Sequence, residues 1–386
     1  MNAHNKSDRT VGNGTGVLLI AVVALALAAC SPSRSFESIS LLSALAGGHL
    51  PENYVRRSVD LDGQAGPRQG DLYRPLGAQP QAALMILPGA SPQGRDDPRI
   101  VAFAAQWANS GFLVLVPEIA NLRQLQVSAS DSLAMADSLR YLAGRIGPEK
   151  PLGAFGLSYA VGPLMIALLQ PDLAERVDFA VALGGYYSSR AVTTYVTTGA
   201  FRAPGRERWQ RREPDGFGAW IFAYSNAGRL NDPEDAWRLR RIAELKLDDR
   251  SADIASLREE MGPEGQSVLV FLENRDPDAV VALEALLPDQ IRSEMQALDL
   301  KSFDLAGPGP RLFLVHGKQD QVIPYTESIA LAEAVNRGPA SGRAELYLLD
   351  EFRHTDLGRT TLGDIFTFSG VLYDVLAIRD ARRLPG

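Results

Sequence analysis

The stretch Pro151-Leu-Gly-Ala-Phe-Gly-Leu-Ser158-Tyr-Ala-Val-Gly162 determines how the rest of the chain is interpreted. Residues 152–155 form a short apolar run that suits a buried parallel strand. Residues 160–169 have the composition of a helix, which ends before Pro171. Ser158 therefore stands at a sharp turn between a strand and a helix, where its hydroxyl would project clear of the sheet.

Small residues flank Ser158 at the two positions where such a turn is most crowded. Gly156 precedes it by two residues, and Ala160 follows it by two, where the commoner pattern has a second glycine. The N-terminus of the following helix would stabilise negative charge that develops beside Ser158. The alternative is an ordinary serine N-cap after a buried strand, and the short pattern alone does not decide between the two.

The composition of the 386-residue chain is that of a globular protein. Its apolar fraction of 46% and charged fraction of 22% fit one large domain with an insertion, or two domains. The net charge of −7 and the lack of a basic block argue against a nucleic-acid partner. The four histidines (His4, His49, His316 and His354) show no metal-ligand spacing, so we expect no metal site.

The first 30 residues have the order of features found in a bacterial lipoprotein signal. Lys6 and Arg9 precede an apolar run over residues 17–29, which is short for a bilayer span and suits a signal-peptide core. The run ends in Leu27-Ala-Ala-Cys30-Ser31, which resembles a lipobox. The resemblance implies that residues 1–29 are removed and Cys30 is lipidated. Because serine and not aspartate follows the cysteine, it also implies the outer membrane of the cell envelope. An ordinary secretory signal with an unrelated cysteine is the alternative.

Strands and helices alternate along residues 82–185, and this rhythm predicts a parallel sheet with crossover helices. Residues 30–54 before it are rich in serine and glycine, so we expect a tether that can include a short helix over residues 39–45. Residues 54–61 and 70–74 are then expected to form an antiparallel hairpin at a sheet edge.

The alternation of strands and helices ends at residues 186–305, which consist mostly of charged helical segments. We expect these residues to form an inserted helical cap over the carboxyl ends of the strands, where ligands bind in open α/β sheets. Five aromatic residues of the segment could line an acyl pocket, although packing in the cap's own core explains them better. They are Trp209, Trp220, Phe222, Tyr224 and Trp237.

Two features beyond the cap complete a resemblance to the α/β-hydrolases. The run His316-Gly-Lys-Gln-Asp320-Gln-Val-Ile-Pro324 is similar to the family motif after the penultimate strand, whose aspartate is the acid of the catalytic triad. The family histidine follows the last strand, which implies His354 here, and the order Ser158, Asp320, His354 is that of the family. The resemblance covers residues 55–185 and 306–386. It implies a mostly parallel α/β-hydrolase sheet flanked by helices.

The resemblance also implies roles for residues around the triad. The backbone N–H groups of Ala90 and Tyr159 would form the oxyanion hole. His316 would be structural and would support the loop of the acid. Asp350 and Glu351 lie too near His354 in sequence to match the family acid and are expected to cap loops.

Three positions depart from the family pattern. Pro88 replaces the histidine that usually precedes Gly89, and Ala160 replaces the second glycine of the serine turn. Phe352-Arg353 stands where the family has a glycine before its histidine, so we expect a slightly different placement of His354.

We therefore expect a serine hydrolase that cleaves carboxylic esters through an acyl-enzyme and needs no cofactor. A serine hydroxyl requires a base within hydrogen-bond reach, and the base requires a carboxylate that fixes its tautomer. The expected substrate is a small-molecule or lipid ester, and the expected membrane contact is the lipid anchor. One alternative is a non-catalytic envelope lipoprotein that uses the scaffold to bind a lipid or protein. Another is a peptidase or acyltransferase with the same triad.

Overall fold

The computed structural model describes residues 31–46, 50–338, 342–354 and 361–381. The predicted signal peptide, Cys30 and His49 lie outside these residues. Within the part of the chain that is described, no helix combines the length and apolar character needed to cross a membrane.

Most of the strands belong to one eight-stranded sheet. In chain order the strands are β1 Tyr54–Leu61, β2 Arg68–Pro75, β3 Ala82–Leu87, β4 Phe112–Pro117, β5 Leu152–Leu157, β6 Phe179–Leu183, β7 Ala200–Phe201, β8 Gln210–Arg211, β9 Arg311–Gly317 and β10 Ala344–Leu349. The large sheet has the order β1-β2-β4-β3-β5-β6-β9-β10. Strand β2 pairs antiparallel with β1 and β4, and the remaining neighbours are parallel. The predicted mostly parallel α/β sheet with a hairpin at one edge is confirmed.

Helices cover both faces of this sheet. In chain order the α-helices are α1 Pro32–Leu45, α2 Pro98–Asn109, α3 Ala120–Arg123, α4 Asp131–Ile146, α5 Val161–Leu168, α6 Pro171–Arg176, α7 Ser189–Thr198, α8 Phe217–Asn226, α9 Pro233–Asp248, α10 Ala255–Glu259, α11 Pro263–Glu273, α12 Val280–Glu284, α13 Asp289–Ala297, α14 Thr326–Val335 and α15 Leu362–Asp380. One apolar cluster packs α4, α5 and α14 on the sheet, and a second packs α1, α2 and α15. Strands β3 to β6 are buried along their whole length, which explains why their sequences are continuous apolar runs.

Helix α1 corrects the prediction of a tether over residues 30–54. Pro32–Leu45 form one helix that packs against α2 and α15, with Leu41 fully buried. Ser35 and Ser38 are buried as well, and their hydroxyls donate to main-chain carbonyls one turn earlier in the helix. Serine serves here as a small interior residue whose hydroxyl is satisfied locally, so a serine-rich composition did not mean a linker.

Residues 186–305 contain helices α7 to α13 and an antiparallel ribbon of β7 and β8 that the sequence did not predict. A third apolar cluster lies wholly within this segment and joins α8, α9, α11 and α13. Its fully buried members include Leu239, Ile242, Phe271 and Ile291. The cap therefore has a core of its own, separate from the two that flank the sheet.

Candidate active site

Ser158 lies in the turn between β5 and α5 with a φ of +56°, in the left-handed region that most side chains avoid. Close packing leaves the turn little space. A Cβ atom added at Gly156 would lie 3.0 Å from Leu164 Cδ2, and one added at Gly89 would lie 3.2 Å from the Ser158 Cβ. Ala160 is buried. The small residues thus let the loop after β3 and the helix after β5 converge on Ser158.

The structure brings the three predicted triad side chains into one hydrogen-bonded chain. The Ser158 Oγ lies 2.7 Å from His354 Nε2. His354 Nδ1 lies 2.7 Å from Asp320 Oδ2. With the proton on Nδ1, the imidazole donates to the carboxylate and its Nε2 accepts the serine hydroxyl proton. The missing family glycine does not displace His354, whose ring reaches both partners and whose own φ is +47°.

Asp320 is fully buried in the loop after β9, and its carboxylate is satisfied on both oxygens. Oδ1 accepts hydrogen bonds from the backbone N–H groups of Val322 at 2.7 Å and Ile323 at 2.9 Å. Oδ2 accepts from His354 and lies 3.3 Å from Nε2 of His316. Because four groups surround one carboxylate, its orientation toward His354 is well defined.

The electrostatics of the pair favour an ionised acid and a basic imidazole. Burial acts to raise the pKa of Asp320, but the charge of His354 and hydrogen bonds from His316 and His354 hold it well below its usual range. Burial acts to lower the pKa of His354, but the Asp320 carboxylate raises it above its ordinary value, and Asp215 of the cap adds to this. A histidine whose pKa is raised by a neighbouring carboxylate is a stronger base toward the serine hydroxyl.

His316 lies under the acid loop, where its two ring nitrogens have partners other than Ser158. Nδ1 lies 2.7 Å from the Ser328 hydroxyl, and Nε2 lies 3.0 Å from the Ile323 carbonyl oxygen. Its position agrees with the structural role that the sequence suggested. Asp350 forms a surface ion pair with Lys318 at 2.6 Å, away from the histidine.

A cavity of about 510 Å³ lies over Ser158 and between the sheet and the cap. The two residues predicted to supply oxyanion N–H groups, Ala90 and Tyr159, line it together with Ser158 and His354. Most of the other lining side chains are apolar, and both the core and the cap supply them. From the core they include Leu45, Ile100, Leu125 and Ile323, and from the cap Val192, Val196, Ile221, Phe222, Met295 and Leu298.

The five cap aromatic residues do not share one role. Phe222 lines the cavity and also lies 5.6 Å, between ring centroids, from Phe271 in the cap core. Trp220 and Tyr224 pack against the cap core, whereas the indole of Trp209 donates to Asp278 at the surface. Trp237 is 58% exposed. The choice between acyl pocket and cap core therefore does not have one answer for all five positions.

Sequence reasoning missed the cap residues that contact the acid loop. The Tyr195 hydroxyl donates to the main-chain carbonyl of Asp320 at 2.9 Å, and Arg212 reaches the same oxygen at 3.4 Å. The charge of Asp215 helps to raise the pKa of His354. No motif marks these residues, because their partner lies more than 100 positions away in the chain.

Comparisons with curated proteins do not show a family for this chain. No protein-family profile matches it. A segment of 83 residues is 36% identical to the multifunctional CCA protein of Ectopseudomonas mendocina and covers 20% of each chain. A segment of 193 residues is 24% identical to the multifunctional CCA protein of Pseudomonas syringae pv. syringae, covering 49% of this chain and 45% of that one. The chain thus spans a fifth to under half of the length of the curated relatives it matches.

Comparison with solved structures shows the fold. The rice cell wall degrading esterase LipA of Xanthomonas oryzae superposes with a TM-score of 0.51 at 13% identity, over 88% of this chain and 94% of LipA. A Legionella pneumophila protein assigned to the hydrolases gives 0.49 at 14% identity, over 92% and 96% of the two chains. The acylaminoacyl peptidase of Pyrococcus horikoshii gives 0.47 at 11% identity, over 87% of this chain and 43% of the peptidase. The strand order and the likeness to LipA establish that this chain has the α/β-hydrolase fold.

Proposed function

We propose that the protein is a serine hydrolase that cleaves carboxylic esters through an acyl-enzyme. The observation that carries the proposal is the hydrogen-bonded chain from Ser158 through His354 to the buried Asp320, at the floor of a cavity. Three side chains from three separate loops meet at hydrogen-bond distances, and the histidine is oriented by an ionised carboxylate. The esterase LipA, which shares the fold, supports the choice of an ester substrate.

The geometry suits a two-step reaction. The Ser158 oxygen attacks the ester carbonyl carbon while His354 takes its proton, and the N–H groups of Ala90 and Tyr159 stabilise the resulting oxyanion. Collapse of the tetrahedral intermediate breaks the bond to the alcohol oxygen, which receives the proton from His354. A water molecule then loses a proton to His354 and attacks the acyl-enzyme carbonyl. The acid departs, and Ser158 regains its proton.

The cavity favours an ester with an apolar acyl or alcohol group. Its walls are mainly aliphatic and aromatic, and removal of such groups from water drives binding without specific polar contacts. Charged residues also line the cavity, among them Asp97, Arg99 and Glu294. We infer that esters with an apolar group of small to medium length bind best.

Substitution of the proposed nucleophile tests this function. Ser158→Ala should lower kcat for hydrolysis of a p-nitrophenyl ester by about 10⁴-fold or more, because no other group can form the acyl-enzyme. Ser267→Ala, in the cap at a hydroxyl bonded to the Glu264 carbonyl, is the matched control and should keep wild-type activity. Undiminished hydrolysis by a folded Ser158→Ala protein would contradict the proposal.

We also propose that the mature protein begins at a lipidated Cys30 and is held at the outer membrane of a bacterial envelope. The support is the order of charged, apolar and small residues before the cysteine. Intact-mass analysis of the membrane fraction should find a chain that begins at Cys30 and carries acyl mass. Cys30→Ser should abolish both the processing and the membrane association. An unprocessed or non-acylated wild-type chain would disprove the anchor.

A further inference from the structure

The cap forms hydrogen bonds to the main chain of the loop that carries Asp320. The Tyr195 hydroxyl, on α7, donates a hydrogen bond of 2.9 Å to the main-chain carbonyl oxygen of Asp320. On the other side of the same residue, the carboxylate points to His354. A single residue of the acid loop is therefore held through its main chain by the cap and through its side chain by the core.

Further contacts from the cap join the same short segment. Arg212 Nη1 lies 3.4 Å from the Asp320 carbonyl oxygen. The Asp215 N–H donates to the Gln321 carbonyl at 3.2 Å, and the Gln321 side-chain amide donates to the Glu213 carbonyl at 3.1 Å. The cap residues 212–215 thus run alongside residues 320–321, and Tyr195 supplies the shortest hydrogen bond of the set.

Tyr195 is placed as a rigid donor. Its side chain is fully buried, and its ring meets the edge of Phe201 at a centroid distance of 5.6 Å. Phe201 in turn meets the ring of Tyr325, at the far end of the acid loop, at 5.9 Å. Burial raises the pKa of Tyr195 to about 12, so its hydroxyl keeps its proton over the pH range in which an esterase works.

We propose that Tyr195 is a positioning residue for the reaction. It fixes the main chain of Asp320 and, through it, the direction of the carboxylate that orients His354. This inference rests on the proposed function, because it assigns Tyr195 a role within the same triad. The cap would then have a second role besides lining the cavity, because Asp320 is correctly placed only when α7 packs against the core.

The physical reason is the sensitivity of a catalytic base to small displacements. The carboxylate is anchored by the N–H groups of Val322 and Ile323, which belong to the same loop and move with it. The Tyr195 hydroxyl is an anchor from outside the loop. Without it, the loop keeps its internal hydrogen bonds and its longer contacts with residues 212–215, but the main chain of Asp320 is held less firmly. A misplacement of about 1 Å near a reacting group is costly.

The test is Tyr195→Phe, which removes the hydroxyl and keeps the ring that packs on Phe201. We expect kcat for ester hydrolysis to fall about tenfold with KM changed by less than about twofold, because one hydrogen bond that acts on the transition state is lost. The rate of labelling by a fluorophosphonate should fall by the same factor. Tyr224→Phe, at a cap tyrosine outside the acid loop contacts, is the matched control and should leave both rates unchanged. Equal kcat in wild type and Tyr195→Phe would overturn the inference.

A double-mutant cycle separates positioning from a general effect on the fold. In an Asp320→Asn background, whose residual rate is measurable by labelling, Tyr195→Phe should cost less than about twofold, because the residue acts through Asp320. A tenfold loss in both backgrounds, or a loss that follows only a lower Tm, would show that Tyr195 is merely structural. If the wild-type protein itself neither hydrolyses esters nor labels at Ser158, the proposed function fails, which is distinct from failure of the role of Tyr195.

Discussion

The sheet core and the cap contribute to the candidate site in different ways. Ser158 and His354 stand on loops that follow strands of the sheet, which is packed on both faces by apolar clusters. The cap supplies much of the cavity wall, and its own apolar cluster does not extend to the sheet. The core thus holds the candidate triad, whereas the cap shapes the space above it.

Polar and apolar contacts both join the two regions, since Leu300 and Leu305 of the cap segment belong to one of the apolar clusters on the sheet. Ser225 and Arg229 of the cap bond to the main chain of Val127, and the Glu294 carboxylate accepts from the Ala129 N–H at 2.6 Å. At the start of the cap, Glu327 accepts the N–H groups of residues 187 and 188. A hydrogen bond contributes about 0.5–1.5 kcal/mol net, so each polar contact adds a modest amount to the stability of the junction. The difference teaches that the cap has an apolar cluster of its own and is joined to the core at several places, of which the acid loop is one.

Among the residues where the two regions meet, the largest expected effect on activity comes from Asp320, whose side chain is bonded to His354 and whose main chain is bonded to the cap. Asp320→Asn keeps the side-chain shape but no longer stabilises the Nδ1–H tautomer of His354, so kcat should fall about 10³–10⁴-fold with little change in KM. Ester hydrolysis assays on the purified protein measure this. Asp350→Asn is the matched control, since that carboxylate pairs with Lys318 at the surface. A larger loss of activity from Asp350→Asn than from Asp320→Asn would show that Asp320 is not the acid of the triad.

The separateness of the two cores can be tested inside the cap. Phe271→Ala opens a cavity in the cap core and should cost about 3–5 kcal/mol of local stability. Hydrogen exchange followed by mass spectrometry should show faster exchange in α9 and α11, with β3 and β5 unchanged. Phe313→Ala, in the sheet, is the contrasting variant and should accelerate exchange throughout the core. Equal acceleration in β5 by both variants would mean that cap and core unfold as one unit.

The junction at Glu327 should make stability depend on pH. Burial raises the pKa of Glu327 to about 7, although the N–H groups of Ser188 and Tyr187 act to lower it. The folded state therefore binds the proton more tightly than the unfolded state does. This contribution to the free energy of unfolding is fully present below the ordinary glutamate pKa and is lost as the pH rises through about 7. The loss is at most about 3 kcal/mol.

Glu327→Gln tests this dependence because glutamine keeps an acceptor oxygen but does not ionise. Urea unfolding should give similar stabilities for wild type and variant near pH 5, and a more stable variant near pH 8. Glu333→Gln, at an exposed position on the same helix, controls for the change in net charge. Parallel pH profiles for wild type and Glu327→Gln would contradict the raised pKa.

The smallest effect concerns the electrostatic reach of the cap. Asp215 helps to raise the pKa of His354, so Asp215→Asn should lower that pKa. Activity requires neutral His354 and rises with pH as the proton is lost, so the acid limb of the kcat/KM profile should move to lower pH. Glu213→Gln makes the same change in charge two residues away and should give a smaller shift. If the acid limb does not move in Asp215→Asn, the pKa of His354 is set by residues of the core alone.

The sheet and the position of the candidate triad could be predicted because their signals are local. A parallel strand buried on both faces is a continuous apolar run, and the Ser158 turn needs small residues within two positions. The loop of Asp320 follows such a strand directly. In each case, a few adjacent residues carry the information.

The remaining features depend on contacts between distant segments. Tyr195 and Asp320 are 125 residues apart, and a tyrosine on a helix carries no mark of its partner. Helix α1 was predicted only in part, as a short helix over residues 39–45. Its buried face includes Ser35 and Ser38, which suggest a linker until the packing of this helix on α15 is known. Likewise, Phe222 serves both the cap core and the cavity, which composition alone could not show.

The central claim is that Ser158 is an activated nucleophile, and fluorophosphonate labelling of the protein tests it most directly. The modified peptide should be located by mass spectrometry, with Ser158→Ala as the unlabelled control. The account predicts stoichiometric modification at Ser158 that slows when His354 is protonated at low pH. A folded protein that remains unlabelled, or is labelled at another serine, would contradict it and would favour a scaffold that binds its ligand without catalysis.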